Sequence, residues 1–548
     1  MVTGGIIYTA RAVHTLNPSR PSGRAIAVRD GRVLAVGTIE ECSRWGIEHV
    51  DTRFERDIIV PGFVEAHSHL MEGQWGQVPY VGRFDRTMPD GSIASGVASI
   101  PDFLERLRTL LAAPRDVPFF VASGFDPIYF EGERLNRNHL DSVSMSTPIF
   151  IFHASGHLAT VNTAFLDKYD IRAGHPTPGV GFGPDGEPNG ELRETAALAL
   201  ARDEFVHLGK VFASEKCITD FGQAARLAGV TTATDLASPF LFRPEHASVV
   251  ADIVNTPNFP IRLACAPMMR SQGKTIEDQL DALKISRVHE SDKFKIPVVK
   301  MMLDGSIQGF TAMMSWPGYI TGEGHGFLLQ TPEETFDMVA RLTSERIGVH
   351  CHCNGDIASE LFIDAVEHAL GKHAWLDHRH TITHAQTITH AQLRRARNLG
   401  IGCNFFSNHL WFWGDQHHDI TLGPDRASQI NPAASAARLG IPFTLHSDAS
   451  VTPIGQLHTM WAAVNRRTVS GRILGENETI SPATALQATT LGAAYLLHLD
   501  HLIGSLEAGK FADMTVLADD PLAVAPDDIR SIEVRDTIIG GMITSECS

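Results

Sequence analysis

The middle of the chain repeats one unit, an amphipathic helix followed by a short apolar strand, and this alternation limits the fold more than any other feature. Thr331-Pro332-Glu333-Glu334 is a capping box with proline at the first helical position, and its helix leads into the apolar run at 347–352. Asp356 is expected to cap the next helix, where Ile357, Leu361, Phe362, Ala365 and Ala369 share one face before Gly371. The cycle recurs with 221–228 before 229–236, 391–398 before 401–405, and 433–439 before 441–445. Strands joined through helices run parallel, so the simplest fold is α/β, a (β/α)8 TIM barrel; an open doubly wound sheet is the alternative. Residues 5–16, 25–36, 50–60, 511–517 and 532–543 are instead β-rich and separated by turn chemistry such as Asn17-Pro18 and Asp30-Gly31. The expected architecture is a barrel at 61–500 inserted into a small β-sandwich formed by the termini, 1–60 and 501–548. With 548 residues and 43% hydrophobic content, the chain can bury a core of that size.

In a barrel, chemistry gathers where strands end. Asp57-Ile58-Ile59-Val60 reads as a buried strand, Pro61-Gly62 interrupts it, and 63–66 resumes an extended run that delivers His67 and His69. Side chains two apart on a strand share a face, and two imidazoles on one wall can hold a divalent metal; an accidental surface pair is the alternative. Further candidates end later strands. Lys300 lies in an apolar run before Asp304-Gly305-Ser306, and a buried lysine is costly unless paired or neutral. His350 and His352 precede Asn354-Gly355-Asp356, His380 and His384 follow, and the strand at 443–445 runs into His446-Ser447-Asp448. Cys351 and Cys353 flank His352, either as thiolate ligands or as small buried apolar groups.

Charge and composition exclude several functions. A formal charge of −17 repels nucleic acid and anionic lipid while favouring a small neutral or cationic substrate. No basic segment precedes an apolar one at the N-terminus, and no run of eighteen apolar residues occurs, so a cytoplasmic protein is expected, with no membrane partner. Seven cysteines without a C-x-x-C pair argue against a disulfide framework, and a homo-oligomer is compatible with the sequence.

Taken in order, V-P-G-F-V-E-A-H-S-H, K-x-x-x-D-G-S, H-x-x-G-D, a strand ending in His-Ala-Gln, and S-D-A resemble the amidohydrolase superfamily. More narrowly they are similar to its family 3 branch of metal-dependent hydrolases, which includes N-substituted formamide deformylase. The resemblance implies a TIM barrel in an interrupted β-sandwich, with one or two divalent ions, zinc foremost. It assigns His67 and His69 to the more buried ion, His352 and His384 to the second, and Asp448 to a general base that also touches metal. His350 and His380 are their rivals by strand parity, and an N-terminal helix cap is the other reading of Asp448. Lys300 would bridge two ions as a carbamate formed from its neutral amine and carbon dioxide; an ion pair with Asp304 is the alternative. Ser155-Gly156-His157, Gly190 to Glu194, and Asp126 match segments the family places beside substrate, so His157 is either a carbonyl-polarising donor or a structural histidine. Residues 408–413 and His417-His418 are expected to line the mouth of the site as an aromatic-rich loop.

The implied activity is hydrolysis of a non-peptide C–N bond, amide or formamide-type, by metal-activated hydroxide with Asp448 as base. An aminohydrolase of heterocycles is an alternative, although that group's H-x-x-E is absent, since Cys353-Asn354-Gly355 follows His352. A non-catalytic scaffold is a third reading, and it should have lost ligands. Departures from the family pattern are Phe125 for Trp, Thr383 for an acid, and His446 and Ser450 for Gly and Pro around Ser447-Asp448-Ala449. They bear on substrate identity.

Overall fold

The two ends of the chain meet in one mixed sheet. In a computed structural model describing residues 5–130, 132, 134–238, 244–270, 273–322 and 324–546, the first strands are β1 (Ile6–His14), β2 (Ser22–Arg29), β3 (Arg32–Gly37), β4 (Val50–Asp51) and β5 (Ile58–Pro61). After the helical region the chain returns as β22 (Met514–Leu517), β23 (Val534–Ile539) and β24 (Met542–Ile543). The order is β24-β23-β22-β5-β1-β2-β3, with β4 on β1. Period-two alternation explains its two faces: Tyr8, Ile26 and Val516 enter one apolar cluster, whereas Ile7, Ala25 and Ala27 enter another. The seam between the two ends pairs Met514 with Pro61 and Leu517 with Ile58, antiparallel. Arg262 clamps it by donating from Nε and Nη2 to the Asp513 carboxylate at 2.6 and 3.0 Å, a buried bidentate pair.

Two parallel sheets follow, as the helix–strand alternation requires. One contains β6 (Phe63–Glu65), β14 (Val230–Ser238), β15 (Arg262–Pro267) and β16 (Phe294–Lys295), ordered β16-β15-β14-β6. The other runs in sequence order through β17 (Val298–Met302), β18 (Gly348–Cys353), β19 (Thr381–His384), β20 (Gly402–Phe405) and β21 (Phe443–Leu445). Isolated parallel bridges, Ser68 with Ala449 and Met268 with Lys300, stand at the two gaps between these sheets, so the ladder is not one continuous ring. Helices such as Glu215–Leu227, Pro332–Ser344, Asp356–Lys372 and His390–Leu399 intervene between strands. Phe221, Val339, Phe362, Leu393 and the alternate strand residues Val299, Met301, Val349 and Cys351 join in one core. The Thr331 box forms in full, with Thr331 and Glu334 exchanging side-chain and backbone bonds. Asp356 departs from expectation: Gly355 is the N-cap, and Asp356 Oδ1 instead accepts from Ser315 N at 2.9 Å.

The sequence reading did not foresee a five-stranded insertion between β6 and β14. After a small hairpin, β7 (Arg86–Thr87) with β8 (Ile93–Ala94), come β9 (Phe120–Phe125), β10 (Ile149–His153), β11 (Leu158–Val161), β12 (Val180–Phe182) and β13 (Pro188–Arg193). They order as β12-β13-β11-β10-β9 and carry apolar clusters of their own, Phe150, Phe152 and Phe165 in one, Phe103, Phe125 and Ile151 in another. Residues expected as an aromatic loop form the helix Asn408–Gln416. Among the described residues, no helix is long and apolar enough to cross a membrane.

Candidate metal centre

The ends of β6 and β21 are lashed together by one buried acid. Glu65 accepts from His67 N at 3.0 Å, from Ser447 Oγ at 2.6 Å and from Gln456 Nε2 at 2.8 Å, and burial pushes its carboxyl up to about 8. This brings His67 and His69 against Asp448. The Asp448 Oδ1 atom lies 3.1 Å from His69 Nε2 and 3.3 Å from His67 Nε2, and its Oδ2 is 3.6 Å from His384 Nδ1. Burial alone would raise the Asp448 carboxyl, but the hydrogen bond and charge of His69 outweigh it and hold it below the ordinary range.

Two groups have the spacing of a metal site: His67, His69 and Asp448, and His67, His384 and His446, with ligand atoms within 4.8 Å of one another in each. His384 reaches the second group against strand parity. Its ladder partner is Cys353, which packs in the outer apolar core with Ile382. His384 has φ of 71°, in the left-handed region, and its ring lies 4.4 Å from His352 and 4.7 Å from His67. Asp448 and Glu194 also have positive φ, 54° and 60°. Such conformations cost of order 1–3 kcal/mol and cluster where side-chain aim matters.

Lys300 is 2% exposed, its Nζ has no hydrogen-bond partner, and burial pushes its ammonium down to about 8. The expected alternative, a pair with Asp304, is not formed. Asp304 instead accepts from the backbone N–H of Gly355 at 2.7 Å and of Met313 and Asn354 at 2.9 Å, and burial pushes it up to about 7. His352 lies outside the two compact groups, its Nε2 3.0 Å from Asn354 Nδ2 and 3.2 Å from the Gly305 carbonyl. The rivals are engaged elsewhere: His350 Nε2 meets the Leu496 carbonyl at 3.0 Å, while His380 accepts from Val349 N and meets Thr343 Oγ1 at 3.1 Å. Cys351 and Cys353 are fully buried apolar packing. The cap reading of Asp448 also fails, because the next helix starts only at Gln456.

The inserted sheet supplies His157, with its ring 5.5 Å from that of His352. Its Nδ1 bonds Glu194 Oε2 at 2.9 Å; burial would lower the imidazole, but the Glu194 charge prevails and raises it. Asp126 accepts from Ile128 N and from Trp413 Nε1 at 3.0 Å. That bond aligns an aromatic wall: Phe406 stacks on His446 at 4.8 Å, and Trp413 stacks on His409 at 4.4 Å and on Tyr129 at 5.8 Å. Sequence reasoning missed two residues here. The signal for Glu65 was an acid inside an apolar strand, and that for His446 was its departure from the family's glycine.

These residues fit a divalent cation. His67 Nδ1 and both ring nitrogens of His384 and His446 are buried without hydrogen-bond partners, and each unsatisfied polar atom costs about 1–3 kcal/mol. Burial lowers all three imidazoles, His446 to about 3, so their lone pairs are free for a metal. A family model described as "Amidohydrolase family" matches residues 57–545. The chain belongs to the amidohydrolase family. Its relatives include the protein LONG AFTER FAR-RED 3 of Arabidopsis thaliana, 25% identical over 99% of this chain and 90% of that protein. N-substituted formamide deformylase of Arthrobacter pascens is 23% identical over 97% of each chain. Among solved structures, an uncharacterized metal-dependent hydrolase from Pyrococcus horikoshii superposes with a TM-score of 0.72 at 19% identity, covering 95% of this chain and 99% of that one.

Proposed function

We propose that this amidohydrolase cleaves a non-peptide C–N bond, amide or formamide-type, in a small neutral or cationic molecule, using a divalent ion, zinc foremost. The observation that carries this reading is a buried carboxylate, Asp448, within 3.3 Å of two imidazoles delivered by a single strand end. The family membership and the formamide deformylase relative support it. In the same reading the eight strands β6, β14, β15 and β17 to β21 make one barrel, residues 61–500, set into the sheet built from 1–60 and 501–548.

His67, His69 and Asp448 would hold the more buried ion, with His352 and His384 available to a second. A bound divalent ion supplies Lewis acidity toward a carbonyl and lowers the pKa of water toward ~7. Asp448, ionised and facing the imidazoles, takes a proton from the attacking water and returns it to the departing nitrogen. His157, held by Glu194 through Nδ1 and made more basic by its charge, donates to the substrate oxygen. Lys300 Nζ has the burial that favours a neutral amine; its attack on carbon dioxide forms an N–C bond, releases one proton and leaves a carbamate anion suited to bridging two ions. The aromatic wall of Phe406, Trp411 and Trp413 suits a ring-bearing or apolar substituent.

Elemental analysis of the purified protein, with a hydrolysis panel of N-formyl amines, N-acyl amines and cyclic amides, tests the reading. Bound divalent metal and amine release are expected. Ammonia release from aminated heterocycles with no amide turnover would instead establish the aminohydrolase.

A further inference from the structure

Buried histidines in this chain are, as a rule, bonded through a ring nitrogen. His153 meets Thr160 Oγ1 at 2.9 Å, His350 the Leu496 carbonyl, His380 Thr343, and His409 and His417 meet each other at 2.8 Å. Among the described residues, His384 and His446 are the two buried histidines with neither ring nitrogen hydrogen-bonded. His446 is fully buried, on the chain segment after β21, two residues before Asp448. Its ring stacks on His67 with centroids 4.7 Å apart and on Phe406 at 4.8 Å, and lies 5.0 Å from His384.

A purely packing role does not account for this arrangement. Stacking between two rings is served at least as well by phenylalanine, which brings no nitrogen to desolvate. Two unbonded nitrogens in a sealed site are costly unless something answers them, and no side chain within reach does. What lies within reach is His67 and His384, whose ligand atoms are within 4.8 Å of one of His446 and of each other. Zinc–nitrogen bonds of about 2.0–2.1 Å at tetrahedral angles need donor atoms roughly 3.3 Å apart, so modest rotations of the three rings close the set.

We propose that His446 is itself a metal ligand, closing with His67 and His384 a three-imidazole site for a divalent cation, with Asp448 as its adjoining anion. The inference rests on the metal-dependent reading above and adds a ligand that the amidohydrolase pattern does not supply, since glycine is commoner at this position. It also makes the site for one ion independent of Lys300, because three neutral donors beside the Asp448 anion suffice to hold it.

The test uses the full-length protein, stripped with a chelator and reloaded with zinc. His446→Phe keeps an aromatic ring between His67 and Phe406 while removing both nitrogens, and His446→Gln keeps polarity. Competition against a chromophoric chelator is expected to show the first zinc equivalent bound about 100-fold or more weakly in both variants, with circular dichroism unchanged. Zinc K-edge absorption of wild-type protein holding one equivalent is expected to count three imidazoles, and this decides the matter should either variant fail to fold. Wild-type affinity in His446→Phe, or two imidazoles in the absorption data, overturns this inference alone. Wild-type protein that takes up no divalent ion overturns the metal-dependent reading with it.

Discussion

Asp448 touches three imidazoles with its two carboxylate oxygens, so its effects on metal and on proton transfer must be separated. Asp448→Asn keeps the shape and one acceptor but removes the base. The turnover number is expected to fall at least ~10²-fold, the usual scale for a lost general acid or base, with KM changing much less. Metal content measured on the same sample separates proton transfer from a lost ligand. The loss should be smaller for anilides than for alkylamides, because a poorly basic leaving amine needs less protonation; equal losses would place the proton on another group. A second expectation concerns the pair that β6 delivers. His67 belongs to both candidate ligand groups and His69 to one, so the double change to Ala should remove activity and most bound metal. Full metal retention by elemental analysis would remove the pair from the centre.

At the scale of elements, the site depends on how two strand ends are joined. Glu65 binds β6 to the segment after β21 through His67 N, Ser447 and Gln456. Glu65→Ala should leave those donors unsatisfied and let the ligand-bearing ends drift, lowering metal affinity about 10–100-fold. Glu65→Gln should lose less, and chelator competition ranks the two; equal affinity in all three proteins would make Glu65 a packing residue. The same elements show what the sequence could reveal. Parallel strands, the joining of the termini and the histidines after β6 follow from periodicity and turn chemistry, which are local. The five-stranded insertion was hidden because β9 to β11 are apolar runs like the strands around them, β12 and β13 are short or polar and carry Gly181 and Pro188-Asn189-Gly190, and pairing partners leave no mark in a single sequence. His384 was legible as a strand-end histidine and took its role from the family resemblance, but its direction was not legible: its parity points outward, and a left-handed φ of 71° turns it inward. His446 was visible as an oddity, but its meaning lies in rings contributed by β6, β19 and the segment after β20.

Across the whole molecule, many histidines are buried as neutral groups, and this sets a response to acid that is separate from catalysis. Burial pushes His153 and His417 down to about 3 and His458 to about 4, each from an ordinary value of 6.5. For a depressed imidazole the folded state resists the proton that the unfolded chain accepts. Its stability contribution is therefore fully present above pH 6.5 and is lost as pH falls from 6.5 toward 3. At pH 5 each such histidine has lost about 2 kcal/mol relative to neutral pH, a large share of the net stability of a folded chain. Metal release would also destabilise the protein in acid, but His153 stands apart from the metal centre, in the inserted sheet, and bonds Thr160 rather than any ligand. His153→Asn can still bond Thr160 but does not titrate. The variant is expected to be less stable than wild type at pH 7.5, and the gap is expected to close by about 2 kcal/mol by pH 5, seen as converging thermal midpoints. Curves that stay parallel across that range would mean that His153 is protonated without penalty in the folded protein, and that the acid response originates at the metal centre.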